Sequence, residues 1–266
     1  MTAEGRVVTF NIGRGASGPE GTGPDDLGRV AEVLADGGGV DVACLQEVHG
    51  PDVPALAAAL RADHGIDVHA HFTATVAADR MARSLRVAEQ RGDDRRVAHL
   101  RGRQSDYGIA VLSRQPLTTA VDHRLPDDGR EDRAAQVVTT SLDAVPLTVV
   151  NTHLGLVVER GLVASLLGRP TPQQAQTRAF LALTAGVAGP VVAAGDLNQA
   201  PTSLLTAVDG TGLEVVSDTR RPTCGRRTID YVLTGHGVRA GEPEVRAVPV
   251  SDHDPVVVAI EVPRPG

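Results

Sequence analysis

The chain has 266 residues, of which 41% are hydrophobic and 22% charged, and its formal net charge is −7. These values are ordinary for a globular protein and exclude a chain that is disordered throughout. No run approaches the ~18 consecutive apolar residues of a membrane helix, and we expect no secretory signal. Because two cysteines cannot form a disulfide framework, we expect a cytoplasmic protein.

Short apolar or β-branched runs, bounded by Gly, Pro and Asp, predict buried strands. In chain order they are residues 7–12, 40–45, 109–112, 134–141, 147–151, 191–194, 229–233 and 255–262. Residues 134–151 form an antiparallel hairpin in this interpretation, with its turn at 143–146.

Helix signals lie between these runs. An apolar i, i+3, i+4 pattern follows Asp26 and ends at Gly37, and Thr171–Pro172 has the form of an N-cap with proline in the first turn. The predicted helices are residues 27–34, 51–60, 172–185 and 201–209. Strands and helices mix without strict βαβ alternation, which favours a mixed two-sheet core with helices outside, in a single domain spanning residues 1–266.

Two segments interrupt this pattern. Residues 76–104 contain eight arginines against four acidic residues, a local net charge of +4 in an acidic protein. This segment is interpreted either as a solvated helix of mixed charge or as a basic wall for an anionic substrate. Residues 155–171 interrupt a direct connection from a strand to a helix.

Polar clusters follow the carboxyl ends of the predicted strands. Each alone is typical of a turn or helix cap, but together they predict one converging site. The clusters are Asn11, Gln46–Glu47, Asn151–Thr152–His153, Gly195–Asp196–Leu197–Asn198, Asp230 and Ser251–Asp252–His253–Asp254–Pro255.

The residue types in these clusters indicate a metal-assisted hydrolase. Glu47, Asp196, Asn198 and Asp252 offer hard oxygen ligands, which suit Mg²⁺ or Mn²⁺. His153 and His253 are then left for proton transfer and phosphate contact. The combination points to metal-assisted attack of water on phosphorus.

The same clusters stand in ordered motifs that resemble those of the endonuclease/exonuclease/phosphatase superfamily, which includes DNase I, exonuclease III-type repair enzymes, neutral sphingomyelinases and inositol-polyphosphate 5-phosphatases. The motifs are Thr9-Phe10-Asn11-Ile12, Leu45-Gln46-Glu47-Val48, Tyr107-Gly108-Ile109-Ala110-Val111-Leu112-Ser113-Arg114, Asn151-Thr152-His153-Leu154, Gly195-Asp196-Leu197-Asn198, Ile229-Asp230-Tyr231 and Ser251-Asp252-His253-Asp254-Pro255. The resemblance covers nearly the whole chain. It implies a four-layer α/β sandwich, with two mixed β-sheets face to face and flanked by helices.

The resemblance also implies roles for individual residues. Glu47 would be the principal ligand of Mg²⁺ or Mn²⁺, with Asn11 and Asp252 completing the metal site. Asp196 would hold the attacking water, and Asn198 a phosphate oxygen.

The remaining implied roles concern the imidazoles and one arginine. His253 would act as a general base or phosphate clamp oriented by Asp230, and His153 would contact phosphoryl oxygens or protonate the leaving group. Arg133 resembles an arginine often found near the substrate phosphate in relatives. The alternative, a surface arginine at an edge strand, stays open.

Several positions depart from the family pattern or indicate which members of the family the chain resembles most. The Asn-Thr-His-Leu form with His153 resembles the DNase I, sphingomyelinase and phosphatase members rather than the abasic-site repair nucleases. Ile109 stands where many relatives have asparagine, which removes a polar contact near the phosphate and predicts a different substrate geometry. Gly13 stands where some relatives have aspartate, which argues against a second metal. Cys44 is interpreted as a core residue and Cys224 as an incidental turn residue.

The sequence therefore favours a phosphodiesterase or phosphatase that acts on a small or lipid-like phosphoester. The acidic balance, only 2% aromatic residues and the absence of tryptophan disfavour nucleic acid as the partner. The alternative is a DNase I-like endonuclease that grips the backbone with residues 76–104. A non-catalytic binding protein on the same scaffold is disfavoured, because the implied catalytic residues are all present. The oligomeric state stays open.

Overall fold

The structure is a computed structural model, which describes residues 2–13, 26–101, 105–127, 131–156 and 170–264. The strands are β1 Thr2–Asn11, β2 Val42–His49, β3 His69–Val76, β4 Tyr107–Ser113, β5 Thr119–Arg124, β6 Ala134–Leu142, β7 Val145–His153, β8 Val191–Asp196, β9 Glu214–Val215, β10 Asp230–Gly235, β11 Arg239–Ala240, β12 Glu244–Val245 and β13 Val256–Pro263. The helices are α1 Asp26–Ala35, α2 Asp52–His64, α3 Ala78–Gln90, α4 Asp94–Leu100, α5 Pro172–Ala185 and α6 Pro201–Val208.

The strands form two mixed sheets. Sheet 1 has the order β11-β13-β1-β2-β4-β3, with β12 also on β13, and sheet 2 has the order β5-β6-β7-β8-β10-β9. Among the strand pairs of the described residues, only β1–β2 and β7–β8 are parallel. The predicted mixed two-sheet architecture is confirmed.

The layers follow from side-chain alternation along the buried strands. In β1, Val7 joins the core between the sheets, whereas its neighbours Val8 and Phe10 pack with helices α1 and α2 on the outer face. On the other side, α5 and α6 cover sheet 2 through residues such as Phe180 and Leu204. The result is the predicted four-layer sandwich, with its central core between the two sheets.

Local sequence signals explain the element boundaries. Thr171 caps α5 by accepting from the Gln174 N–H at 3.1 Å, while the Gln174 side chain accepts from the Thr171 N–H at 2.9 Å. The predicted hairpin is confirmed as β6–β7, and its turn residues Asp143 and Ala144 have φ of 44° and 64°.

The Arg-rich segment forms α3 and α4, which pack together. Met81 and Leu100 pack with Val76 and Tyr107 in a small apolar cluster, so the helix pair is anchored at the end of sheet 1. The exposed face of α3 carries Arg80, Arg83 and Arg86 at three-residue spacing. Residues 102–104 lie outside the described residues, as does most of the second predicted excursion at 155–171.

A chain of buried side-chain hydrogen bonds connects the two sheets. Gln46 Nε2 on β2 donates to Asn151 Oδ1 on β7 at 2.9 Å, and Asn151 Nδ2 donates to Gln136 Oε1 on β6 at 2.9 Å. Gln136 Nε2 in turn donates to Thr73 Oγ1 on β3 at 2.8 Å. Gln46 and Asn151, which belong to the predicted polar clusters, therefore join the sheets beneath the strand ends.

Both cysteines are free, and both are buried. None of the helices in the described part of the chain is long and apolar enough to cross a membrane.

Candidate active site

The predicted polar clusters converge at one end of the sandwich. Asn11 is in register with Gln46 where the parallel strands β1 and β2 end, and His153 is in register with Asp196 where β7 and β8 end. Asp230 begins β10 directly opposite Asp196. Because parallel strands end at the same edge, residues far apart in sequence meet there.

Asp196 lies at the centre of the site and is 2% exposed. Its Oδ2 accepts from Asn11 Nδ2 at 3.1 Å, and its Oδ1 accepts from the Asn198 N–H at 2.9 Å. The Nε2 atoms of His153 and His253 lie 3.6 Å and 3.8 Å from Oδ2. Burial and the Asp230 charge raise the pKa of Asp196 to about 7, although His253, Asn11 and Asn198 act in the opposite direction.

Tight backbone packing shapes the strand that carries Asp196. A side chain on Gly195 would place its Cβ 2.0 Å from the Thr152 carbonyl oxygen, so β8 can approach β7 this closely only with glycine at that position. Asn198 has φ of 51°, a conformation that costs free energy in a residue with a side chain.

Glu47 joins the site from sheet 1. It lies at a bulge of β2 opposite β4 and has φ of 56°. Its side chain therefore does not follow the regular alternation of side chains between the two faces of the sheet. Its Oε1 accepts from Asn11 Nδ2 at 3.3 Å, and the Tyr107 hydroxyl also hydrogen-bonds its carboxylate. Burial raises the pKa of Glu47, and the Asn11 hydrogen bond opposes this shift.

The carboxylate of Asp230, at the start of β10, holds the ring of His253. Its Nδ1 lies 2.9 Å from Asp230 Oδ2, and Thr223 Oγ1 donates to the same oxygen at 2.6 Å. Burial lowers the pKa of His253, but the charge and hydrogen bond of Asp230, with contributions from Cys224 and Asp196, raise it to about 12. The ring is therefore a cation at neutral pH.

His153 differs from His253 in its electrostatics. Burial, together with the positive charges of Arg133 and His253, holds its pKa well below the usual value, so the ring is neutral. Asn198 Nδ2 lies 3.3 Å from His153 Nε2. Asp196 is therefore flanked by one neutral imidazole, His153, and one cationic imidazole, His253.

Arg133 is buried beside His153 rather than exposed at an edge. Its Nη1 donates to the His153 carbonyl oxygen at 3.5 Å, and its Nη2 lies 3.2 Å from Glu131 Oε2. Arg133 directly precedes β6, whereas the edge strands of sheet 2 are β5 and β9, so the interpretation as a surface arginine at an edge strand is wrong.

Asp252 is exposed at the rim of the site, next to His253. Its carboxylate oxygen, a ring nitrogen of His253 and the Cys224 Sγ all lie within 4.8 Å of one another. Cys224, interpreted from the sequence as incidental, therefore contacts the site. Its nearness to His253 comes from a β-bridge between segments distant in sequence, for which the sequence contains no local signal.

A profile of the endonuclease/exonuclease/phosphatase family matches residues 8–253. The chain belongs to this family. Members of the endonuclease/exonuclease/phosphatase family are phosphoester hydrolases and typically depend on a divalent metal. A search of curated protein sequences finds no match.

Solved structures of the endonuclease/exonuclease/phosphatase fold are similar over almost the whole chain. A family member from Beutenbergia cavernae has a TM-score of 0.72 at 24% identity, covering 98% of this chain and 72% of that one. The human nocturnin catalytic domain with bound sulfate has 0.68 at 18% identity, covering 98% and 95%. D. rerio TDP2 with a single-strand DNA product has 0.67 at 12% identity, covering 97% and 98%. At these identities the similarity shows the fold alone.

The donor groups of the site fit the hard dication typical of the endonuclease/exonuclease/phosphatase family. Glu47, Asp196, Asp230 and Asp252 bring more negative charge than the His253 cation balances. Asp230 Oδ1 is buried and has no hydrogen-bond partner within the described ranges. Oxygen donors in a partly dehydrated, acidic cleft are the ligands that Mg²⁺ or Mn²⁺ prefers.

Proposed function

We propose that the chain is a divalent-metal-dependent phosphodiesterase or phosphatase that acts on a small or lipid-like phosphoester by metal-assisted attack of water. The observation that carries the proposal is the position of Asp196, whose raised pKa and two imidazole neighbours suit proton transfer beside a phosphate. The two sheets share one core, which supports a single domain over residues 1–266.

Glu47, Asn11 and Asp252 would hold the metal, Mg²⁺ or Mn²⁺. When bound, the dication supplies positive charge to the phosphoryl oxygens and lowers the pKa of bound water. The Asn11 amide contacts both Glu47 and Asp196, so it sets the spacing between the metal ligand and the proton acceptor.

Asp196 orients the attacking water and takes its proton. A base works best when its pKa lies near the working pH, and the pKa of Asp196 is raised to about 7. The Asn198 N–H fixes one carboxylate oxygen and leaves the other facing the imidazoles.

His253 acts as the phosphate clamp rather than as the general base. Because it is already a cation, its Nε2–H donates to a phosphoryl oxygen and stabilises the charge that develops there. Asp230 holds Nδ1 and keeps the ring in place. Neutral His153, with Asn198 and Arg133, contributes further contacts to the phosphate or the leaving group.

A panel of phosphomonoesters, phosphodiesters, nucleotides, phospholipids and DNA, assayed with Mg²⁺ and with EDTA, tests this function. We expect turnover of a small or lipid-like phosphoester that EDTA abolishes and added Mg²⁺ or Mn²⁺ restores. Absence of turnover for every phosphoester, or turnover unaffected by EDTA, would contradict the proposal.

The arginine face of α3 favours one alternative, a nuclease. Arg80 and Arg86 lack ion-pair partners among the residues that the structure describes, and the helix pair packs on Tyr107, whose hydroxyl contacts Glu47. A phosphate backbone bound at Glu47 could continue along this face. The same fold in D. rerio TDP2 holds a single-strand DNA product.

Plasmid nicking over a salt series distinguishes the two functions. We expect no nicking by the wild-type protein. If the chain is instead a nuclease, nicking falls steeply with salt. Changing Arg80, Arg83 and Arg86 to glutamine then lowers the slope of log DNA affinity against log salt concentration by about 2–3. The matched control, with Arg29, Arg239 and Arg264 changed to glutamine, removes the same charge from other exposed positions.

Glu47→Gln tests the metal site. The change keeps the size of the side chain but removes a charge, so we expect the Mg²⁺ concentration for half-maximal activity to rise by at least ~10-fold. Burial disfavours this charge, so the melting temperature in EDTA should not fall. Glu214→Gln, at an exposed position, is the control. An unchanged Mg²⁺ titration in Glu47→Gln would argue against its role as a metal ligand.

A further inference from the structure

We propose that Cys224, Asp252 and His253 form an inhibitory site for a thiophilic divalent cation such as Zn²⁺. Binding at this site depends only on the three side chains, whereas inhibition rests on the proposed function of His253 and Asp252. The site differs in chemistry from the all-oxygen donor set of Glu47, Asn11 and Asp252.

The three donor atoms are close enough for one small cation. The Cys224 Sγ, a carboxylate oxygen of Asp252 and a ring nitrogen of His253 lie within 4.8 Å of one another. Zinc bonds of ~2.0–2.3 Å in tetrahedral geometry place the ligand atoms roughly 3.3–3.8 Å apart. Shortening these distances by at most ~1.5 Å therefore closes the site, and exposed Asp252 can approach the other two ligands by a rotation of its side chain.

The backbone holds Cys224 against His253. Cys224 forms antiparallel bridges with both Arg227 and His253, and the Asp254 N–H donates to the Thr223 carbonyl oxygen at 2.7 Å. Thr223 binds Asp230 on one side of this turn, and Cys224 lies on the other. The ligand positions are thus fixed by the same contacts that build the active site.

Neighbouring side chains hold two of the ligands in place. Arg227 Nη2 donates to the Cys224 Sγ at 3.4 Å, which holds the sulfur in place. Asp230 accepts from His253 Nδ1 at 2.9 Å, as a carboxylate does behind many zinc-bound histidines. Sulfur, nitrogen and oxygen donors together select Zn²⁺ over Mg²⁺.

Occupancy of this site would stop hydrolysis. The cation bonds to the thiolate sulfur, and the thiol proton and the proton on the coordinating His253 nitrogen pass to solvent. His253 then has no N–H for the substrate phosphate, and Asp252 is withdrawn from the Mg²⁺ site. Zinc would therefore inhibit hydrolysis, in competition with Mg²⁺ for Asp252.

Cobalt absorption and zinc titration test binding without using activity. With Co²⁺ we expect a near-ultraviolet thiolate-to-metal band in the wild-type protein and in Cys44→Ala, which keeps Cys224. Cys224→Ser should lose the band and bind Zn²⁺ at least ~10-fold more weakly in competition with a chelating dye. No band in the wild-type protein, or equal zinc affinity in wild type and Cys224→Ser, overturns the site.

The inhibition arm compares each variant with its own zinc-free rate at saturating Mg²⁺. We expect Cys224→Ser to need at least ~10-fold more Zn²⁺ for half inhibition than the wild type, and Asp252→Asn to bind Zn²⁺ more weakly in the dye assay. Zinc binding through Cys224 in a protein that hydrolyses no phosphoester would support the site and overturn the proposed function. Equal zinc inhibition of wild type and Cys224→Ser would overturn the inhibitory role.

Discussion

Asp196→Asn is expected to lower kcat by at least ~10²-fold, the scale of a lost acid–base group. The amide has nearly the same shape, and its oxygen keeps the hydrogen bond from the Asn198 N–H, while the bond from Asn11 Nδ2 is lost. The amide cannot take a proton from water. Single-turnover and steady-state assays on the best phosphoester of the panel measure this loss, and activity near that of wild type would remove Asp196 from the mechanism.

In the metal-free protein, the free energy of unfolding of Asp196→Asn is expected to increase relative to that of wild type as the pH rises. The folded-state pKa of Asp196 is raised from 3.8 to about 7, so the folded state binds this proton more tightly than the unfolded chain. Ionisation therefore costs folding free energy between about pH 4 and pH 7. The advantage of asparagine should grow by up to about 2–3 kcal/mol between pH 5 and pH 8.

Urea unfolding in EDTA at the two pH values measures this difference. Asp209→Asn, at an exposed position, controls for the loss of one negative charge. An Asp196→Asn protein that gains no stability over wild type between pH 5 and pH 8 would contradict the raised pKa.

His253→Ala is expected to lower kcat by at least ~10²-fold, because the substrate phosphate loses its imidazolium donor. The loss should be larger in kcat than in KM if the contact strengthens in the transition state. His64→Ala, at an exposed position on α2, should retain full activity. Comparable rates for His253→Ala and His64→Ala would exclude the phosphate-clamp role.

Asp230→Asn tests how the His253 cation is maintained. Asp230 is the main group that raises the pKa of His253, so its neutral variant should bring that pKa down towards 6.5. The cation is then lost as the pH rises through the lowered pKa, and activity relative to wild type should fall between pH 6 and pH 8. A pH–rate profile parallel to wild type would show that Asp230 does not set the charge of His253.

The sequence was sufficient to predict the residues that meet in the site. Each motif consists of an apolar run, which predicts a strand, followed by the polar residue at the end of that strand. Asn11, His153, Asp196 and His253 are examples, and the structure brings them together around one carboxylate. Their individual roles depend on charge and burial rather than on motif, so they stay proposals.

Other features have no local pattern in the sequence. Strand β5 is almost wholly exposed and β3 carries polar residues, so neither shows the apolar run by which strands were predicted. The contact of Cys224 with His253 and that of Thr223 with Asp230 depend on tertiary pairing. The positive φ of Glu47 depends on a bulge that only the pairing with β4 defines.

The buried amides that connect the sheets have a consequence for how a protein of this architecture could acquire new substrates. Gln46, Asn151 and Gln136 each donate to the next side chain, so removing one takes a buried hydrogen bond from its neighbours. Sliding one sheet past the other would break this chain of hydrogen bonds, which favours a constant spacing between Glu47 on one sheet and Asp196 on the other. We therefore expect new substrates to be accommodated by changes in the loops around the strand ends rather than by a new spacing of the two sheets.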